Sequence, residues 1–373
     1  MSRHTVPLGR IFGISVDLDY SWFLLFGLLT WVMAVSYYPS EFKNWSPAEY
    51  WLMGAVTAIM LFASVLLHEL GHSVVATRFG ILVPRITLFI FGGVSQIASE
   101  PTSASTEFWI AAAGPAVSFA LAAIFWGLRP IFANVPPLLA LVKYLAWLNL
   151  VLGAFNLLPG FPLDGGRVFR AIVWAVTGNF HRATVIAALT GRFFGFGLIF
   201  LGVWQSLTGN VFNGLWTGFI GWYLESAAAS QLQQQTVKDL LAGHKVSEAM
   251  SRDCIRVSGD LTLQEVVEDH VLGGGVRCFV VSRGDQTIGL LTLSEITRAP
   301  RSSWATTTVA QAMIPAEKLI STPANVEVST AIDNMGRNGI THMPVVERGR
   351  IIGVFSREDL VHYLGILQRL GAT

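Results

Sequence analysis

Apolar and polar positions along this chain of 373 residues follow two different rhythms. As far as position 229 the apolar residues come in long runs, at 20–38, 51–77, 109–128, 136–158, 183–207 and 211–229. Each is long enough for a helix to cross a bilayer, so about six spanning helices are expected. Pro159, Gly160 and Pro162 end the fourth run, and only Thr208, Gly209 and Asn210 separate the last two. A shorter run, ITLFIFGGVSQIA at 86–98, is too short to cross as a helix. Backbone groups in an apolar medium need internal partners, so this run is predicted to form a re-entrant hairpin turning at Gly92 and Gly93.

Beyond 229 the pattern changes. The stretch AAASQLQQQTVKDL is polar and free of Pro and Gly, which predicts a helical connector over 230–241. From 242 onward, strand-length and helix-length patterns repeat with an offset near 64: VSEAM at Val246 against VAQAM at Val309, CFVV at Cys278 against MPVV at Met343, and GLLTLSE at Gly289 against GVFSRED at Gly353. Two copies of one β/α unit, about 242–300 and 305–368, are expected to form an α+β pair. The predicted organisation is a membrane domain over 1–229, the connector, and the repeat over 242–373.

Charge agrees with this division. Of the 49 Asp, Glu, Lys and Arg residues, 29 follow Gln235. A hydrophobic content of 52% and a mean hydropathy of +0.53 lie far from soluble averages. A net charge of +1 without a basic cluster argues against a nucleic-acid partner. With a cytoplasmic amino terminus, Arg3, Arg10, Arg78, Arg85, Arg167, Arg170, Arg182 and Arg192 fall inside, and Lys43 and Arg129 outside. The positive-inside rule then gives a multi-pass cell-membrane protein with both its amino terminus and its repeat in the cytoplasm. The first twenty residues lack a compact apolar stretch with a cleavage site, so no removable signal peptide is expected. Cys254 and Cys278 have no C-x-x-C spacing and are expected as reduced core thiols.

The strongest chemical signal is His68-Glu69-Leu70-Gly71-His72, inside the second span. Residues four apart share a helix face, so both imidazoles can grip one zinc ion while Glu69, one step round, acts as a base. Such groups in an apolar helix cost about 2.5–3.5 kcal/mol per central charge on insertion scales, and a bound cation offsets that cost. A catalytic zinc wants a third protein ligand. Asp164, in NLLPGFPLDGGRVFR, is the best remaining acid, although an Asp-Gly turn is the simpler reading of that residue alone. Gly71, the AGP at Ala113, Gly191 with Gly195, and Gly214 with Gly218 read as close helix contacts without chemistry. The histidines outside the spans have no paired spacing and read as ordinary surface or core residues.

Together HELGH at His68, FGG at Phe91, AGP at Ala113 and NLLPGFPLDGGR from Asn156 to Arg167 resemble the site-2 proteases. The repeat narrows the resemblance to their bacterial and archaeal group with a C-terminal pair of cystathionine-β-synthase-type (CBS) domains. The resemblance implies one zinc per chain held by His68, His72 and Asp164, Glu69 as general base, and Asn156 as a residue holding substrate or its oxyanion. It further implies cleavage of transmembrane or membrane-proximal peptide bonds in single-span membrane proteins during regulated intramembrane proteolysis. For the repeat it implies an adenine-nucleotide motif, met by Ser356 and Asp359 in the second copy and by Thr292 with Glu295 in the first, or a homodimerisation unit. The rival from another class is a metal cation transporter gated by the CBS pair. Transport paths line several spans with polar groups, whereas here they gather at one point, and an intact Glu69 argues against an inactive scaffold.

Overall fold

The computed structural model describes residues 5–90, 92–96, 100–252, 254–274, 276–284, 286–348 and 350–370. Arg3, His4 and Phe91 lie outside them, as do Ile97 and Ala98 at the end of the expected hairpin. The chain divides into two units, Met1–Gln235 and Thr236–Thr373.

The first unit opens with a hairpin that the sequence pattern did not announce, β1 (Thr5–Ile11) and β2 (Ile14–Asp19), turning at Phe12 and Gly13 with φ of 51° and 82°. Asp19 then caps α1 (Tyr20–Val32), accepting from the Ser21 N–H, and a π-helical turn at Met33–Tyr37 leads into α2 (Tyr38–Glu41). The next helix, α3 (Pro47–Arg78), starts in a reciprocal cap between Ser46 and Glu49. Strands β3 (Arg85–Phe89) and β4 (Gly92–Gln96) follow, then α4 (Ala104–Gly127), α5 (Pro136–Asn156), α6 (Asp164–Thr177), α7 (Phe180–Leu207) and α8 (Val211–Leu241).

Five helical stretches among the described residues are long and apolar enough to cross a membrane: Tyr20–Glu41, Pro47–Arg78, Ala104–Gly127, Pro136–Asn156 and Phe180–Leu207. The sixth expected span and the expected connector form one continuous helix, α8. Its first part is less apolar than the five because Asn213, Tyr223, Glu225 and three glycines dilute it. The first unit is therefore that of a polytopic helical membrane protein.

The four strands form one sheet in the order β1-β2-β3-β4. The hairpin expected at 86–98 is present as β3 and β4, but its turn is displaced. Phe89 pairs with Gly92, so the chain reverses between them and both glycines belong to β4. Ile14 and Leu18 of β2, with Ile86 and Leu88 of β3, pack on Leu70 and Ala76 of α3 and Ile110 of α4. The sheet therefore lies against the half of α3 that carries the two histidines.

In the second unit one sheet runs β5 (Cys254–Ser258), β6 (Cys278–Arg283), β7 (Gln286–Thr292) and β8 (Ile314–Pro315). The other holds β9 (Thr322–Pro323), β10 (His342–Glu347) and β11 (Arg350–Ser356), in the order β11-β10-β9. In each copy a parallel neighbour flanks an antiparallel hairpin. Cys254 and Cys278 are a disulfide, not the expected pair of thiols. The register explains it: they are direct partners on adjacent parallel strands, with Cα atoms 4.7 Å apart.

Candidate active site

The four-residue spacing on α3 puts the Nε2 atoms of His68 and His72 3.3 Å apart, and both rings are buried. Asp164 Oδ2 lies 3.0 Å from the first and 3.1 Å from the second. These three residues, 92 or more positions apart in sequence for the Asp, offer ligand atoms all within 4.8 Å of one another.

Each ring is oriented from behind by α4. His72 Nδ1–H donates to the Ile110 carbonyl oxygen at 2.7 Å, and His68 Nδ1 lies 2.9 Å from Ser118 Oγ. A carbonyl only accepts, so the proton of a neutral His72 sits on Nδ1 and its Nε2 presents a bare lone pair. That lone pair faces a carboxylate oxygen and a second imidazole nitrogen. Such a cluster of acceptors calls for a cation between them, as the fixed-tautomer histidines of metal sites do. Gly114 fits the same demand: a Cβ there would lie 2.2 Å from His72 Nε2 and 2.6 Å from His68 Nε2. The AGP motif, read from sequence as a helix contact, thus does two jobs. Gly71 packs against Ala113 and Val117 of α4, while Gly114 leaves room at the ligand atoms.

Asp164 is the first residue of α6, which resolves the turn reading. A Cβ on Gly165 would lie 2.3 Å from the Leu157 carbonyl, and one on Gly166 2.4 Å from the Gly160 carbonyl carbon. The first turn of α6 therefore sits directly on the backbone of the preceding loop, and the two glycines of LDGGR permit that approach.

Glu69 lies beside this group and under the edge strand. Its Oε2 accepts from Ser95 Oγ at 2.7 Å. A Cβ on Gly93 would come within 2.4 Å of Glu69 Cγ, which is why β4 carries glycine there. Asn156, the last residue of α5, donates from Nδ2 to the Leu152 carbonyl of its own helix and is not hydrogen-bonded to the His/Asp group. Fully buried Asn149, two turns earlier, donates to Ser64 Oγ at 3.1 Å, one turn before His68. Sequence reasoning passed over it, together with Ser95 and Ser118, and read Gly114 only as part of a helix contact. Glu107, Gly114 and Ser118, spaced seven and four apart, mark one face of an otherwise apolar α4 and were the available signal.

In the second unit the predicted nucleotide residues lie at helix starts. Ser356 N–H and Oγ–H both donate to Asp359 Oδ2, at 2.9 and 2.6 Å, and Asp359 N–H returns a bond to Ser356 Oγ. The Thr292 hydroxyl donates to Glu295, whose other oxygen meets Arg298 at 3.2 Å. A separate cleft of about 810 Å³ is lined by residues including Arg256, Thr287, Ser321 and Arg350, and not by Ser356, Asp359, Thr292 or Glu295.

A helix-borne HExxH whose third partner is an Asp on another helix, in a polytopic membrane unit, defines a membrane metalloprotease. Residues 56–135 and 132–200 match peptidase family M50, and residues 246–302 and 309–366 each match the CBS domain. The chain is 34% identical over 369 residues to the Mycobacterium tuberculosis protein named "Putative zinc metalloprotease Rip3", covering 98% of this chain and 94% of that one. It is 33% identical over 368 residues to a Synechocystis protein named "Putative zinc metalloprotease sll0528", covering 97% and 96%. A solved site-2 protease from Methanocaldococcus jannaschii shares 30% identity, with a TM-score of 0.41 over 61% of this chain and 95% of that chain. The chain belongs to peptidase family M50, the site-2 proteases, and is a zinc metalloprotease acting within the membrane.

Proposed function

We propose that His68, His72 and Asp164 hold one zinc ion per chain and that Glu69 is the general base for cleaving a peptide bond in a single-span membrane protein. The observation that carries this is the convergence of three acceptor atoms within 4.8 Å in a buried setting, around a position kept open by Gly114. When bound there, zinc supplies a Lewis acid for the scissile carbonyl and favours ionisation of water at neutral pH. Glu69, one residue from a ligand and steadied by Ser95, takes the proton from the attacking water and delivers it to the leaving amine. Asn156 is the proposed donor to the substrate carbonyl, once its amide turns away from Leu152.

The substrate is proposed to bind as an added strand on β4. A helical peptide bond is shielded, so the substrate must unwind, and its freed backbone groups then need partners inside the membrane. Among the described residues β4 pairs on one side only, and that strand passes over Glu69. Single cysteines placed in turn along 92–96, crosslinked to a substrate in vesicles, are expected to react strongly at alternate positions. Uniform or absent crosslinking would remove strand addition.

Both termini and the CBS pair are proposed to face the cytoplasm, with the first part of α8 as the sixth crossing. Exposed Phe212, Leu215, Trp216 and Trp222 on that part suit lipid contact. The division into a membrane part over 1–229, a connector over 230–241 and a CBS pair over 242–373 belongs to the same reading.

For the pair itself the proposal is an adenine-nucleotide sensor, with Ser356 and Asp359 at a helix start as the stronger site and Thr292 with Glu295 as the weaker. The arginines of the separate cleft add positive charge to the same unit. A ligand changes activity only by its differential affinity for two states. Cleavage by the full chain is therefore expected to change with ATP, ADP or AMP in the wild type and not in Asp359→Ala. Binding without a change in rate would instead make the pair a homodimerisation module.

A further inference from the structure

Glu107 is fully buried in the first turn of α4, a place where an unpaired carboxylate is costly. Its Oε1 accepts from Arg170 Nε at 2.7 Å and from Arg170 Nη2, and Arg167 Nε stands 3.9 Å away. Its Oε2 has no protein partner among the described residues, so a single oxygen carries the attachment. Arg170 is also buried, its guanidinium carbon 5.0 Å from the centre of the Phe161 ring and 4.7 Å from that of Phe180. The fork and the two rings leave Arg170 one orientation.

The pair joins two elements that each carry part of the site. Arg170 is on α6, six residues after Asp164. Glu107 is on α4, three residues before Ile110, whose carbonyl orients His72, and seven and eleven before Gly114 and Ser118. One face of α4 thus sets both histidines directly and reaches α6 through Glu107. Gly165 and Gly166 seat the first turn of α6 on the preceding loop, and the rotation of the helix and its height along α4 are left to side chains further on. Two guanidinium nitrogens of Arg170 converging on one buried oxygen of Glu107 fix both.

We propose that Glu107 and Arg170 are positioning residues that key α6 to α4 and so place the Asp164 carboxylate against His68 and His72. The pair touches neither substrate nor metal. Its effect passes through Asp164 alone, and the proposal rests on the reading of His68, His72 and Asp164 as the zinc ligands.

The test is a double-mutant cycle on zinc affinity, measured by chelator competition on the purified full chain in detergent. Glu107→Gln is expected to raise the zinc Kd about tenfold, the lower end of what loss of an outer-shell partner does to a metal site. In an Asp164→Asn background, where there is no carboxylate left to place, Glu107→Gln is expected to change the Kd by less than twofold. An unchanged Kd in Glu107→Gln, or an equal rise in both backgrounds, would overturn the proposal, the second result marking a general loosening of the fold. If Glu107→Gln does not fold, Arg170→Lys, which keeps the charge and loses the fork, goes through the same cycle with the same two readings. A wild type that binds no zinc would refute the ligand assignment itself, whereas zinc binding indifferent to the pair refutes only the positioning role.

Discussion

Glu69→Gln is expected to leave zinc bound at one ion per chain and to remove cleavage. The two effects separate because Glu69 is not among the converging ligand atoms: its carboxylate is turned toward Ser95, while the neighbouring residues His68 and His72 face Asp164. A glutamine keeps the shape and can still bond to Ser95 Oγ, so the fold and the β4 contact survive. It cannot take a proton from water. Loss of general-base catalysis alone is worth about 10²–10⁴-fold in rate. Metal analysis of the purified variant, alongside cleavage of a tagged single-span protein, checks both halves. Loss of zinc from the variant would make Glu69 a ligand, and normal cleavage with zinc bound would remove it as the base.

Gly114→Ala is expected to lower zinc occupancy well below one per chain and to abolish cleavage with it. The added methyl would lie 2.2 Å from one ligand nitrogen and 2.6 Å from the other, far inside contact distance. Neither ring has an easy escape, because His72 is tied to the Ile110 carbonyl and His68 to Ser118 on the same helix as the intruding methyl. Moving α4 outward instead would break those bonds. Gly127→Ala on the same helix is the control, since a Cβ there meets nothing within 4 Å; it should keep both zinc and activity. Asp164→Ala should also lower zinc affinity, through loss of a ligand without a clash. Full zinc occupancy in Gly114→Ala would show that the ion does not sit between the two Nε2 atoms.

Much of this was legible before any coordinates. Long apolar runs pointed to five of the six expected spans because helix length and bilayer thickness are tied together, and HELGH pointed to the two imidazoles because four-residue spacing fixes a helix face. Asp164 was found as the one suitable acid, but its place as the first residue of α6, seated on glycines against the preceding loop, is a packing fact with no local signature. The Ile110 carbonyl leaves no trace in a sequence at all. Ser118, Gly114 and Glu107 left one in principle, as the small and polar positions on one face of α4. Spanning helices are apolar nearly all round, so hydrophobic periodicity does not say which face looks inward, and such exceptions are then the better guide. The displaced hairpin turn has a similar origin: Gly92 and Gly93 looked like turn residues, yet Gly93 is needed where β4 crosses Glu69. The disulfide escaped because Cys254 and Cys278 meet only through strand register.

The central claim, zinc-dependent cleavage within the membrane, is tested most directly by reconstituting the purified full chain in lipid vesicles with a single-span peptide. Zinc is removed by chelation and then restored, and the product ends are mapped by mass spectrometry. The account predicts a cut inside the apolar span of the peptide, lost on chelation and recovered with zinc. Cleavage that persists without metal, or that falls only in the soluble flanks of the peptide, would contradict it.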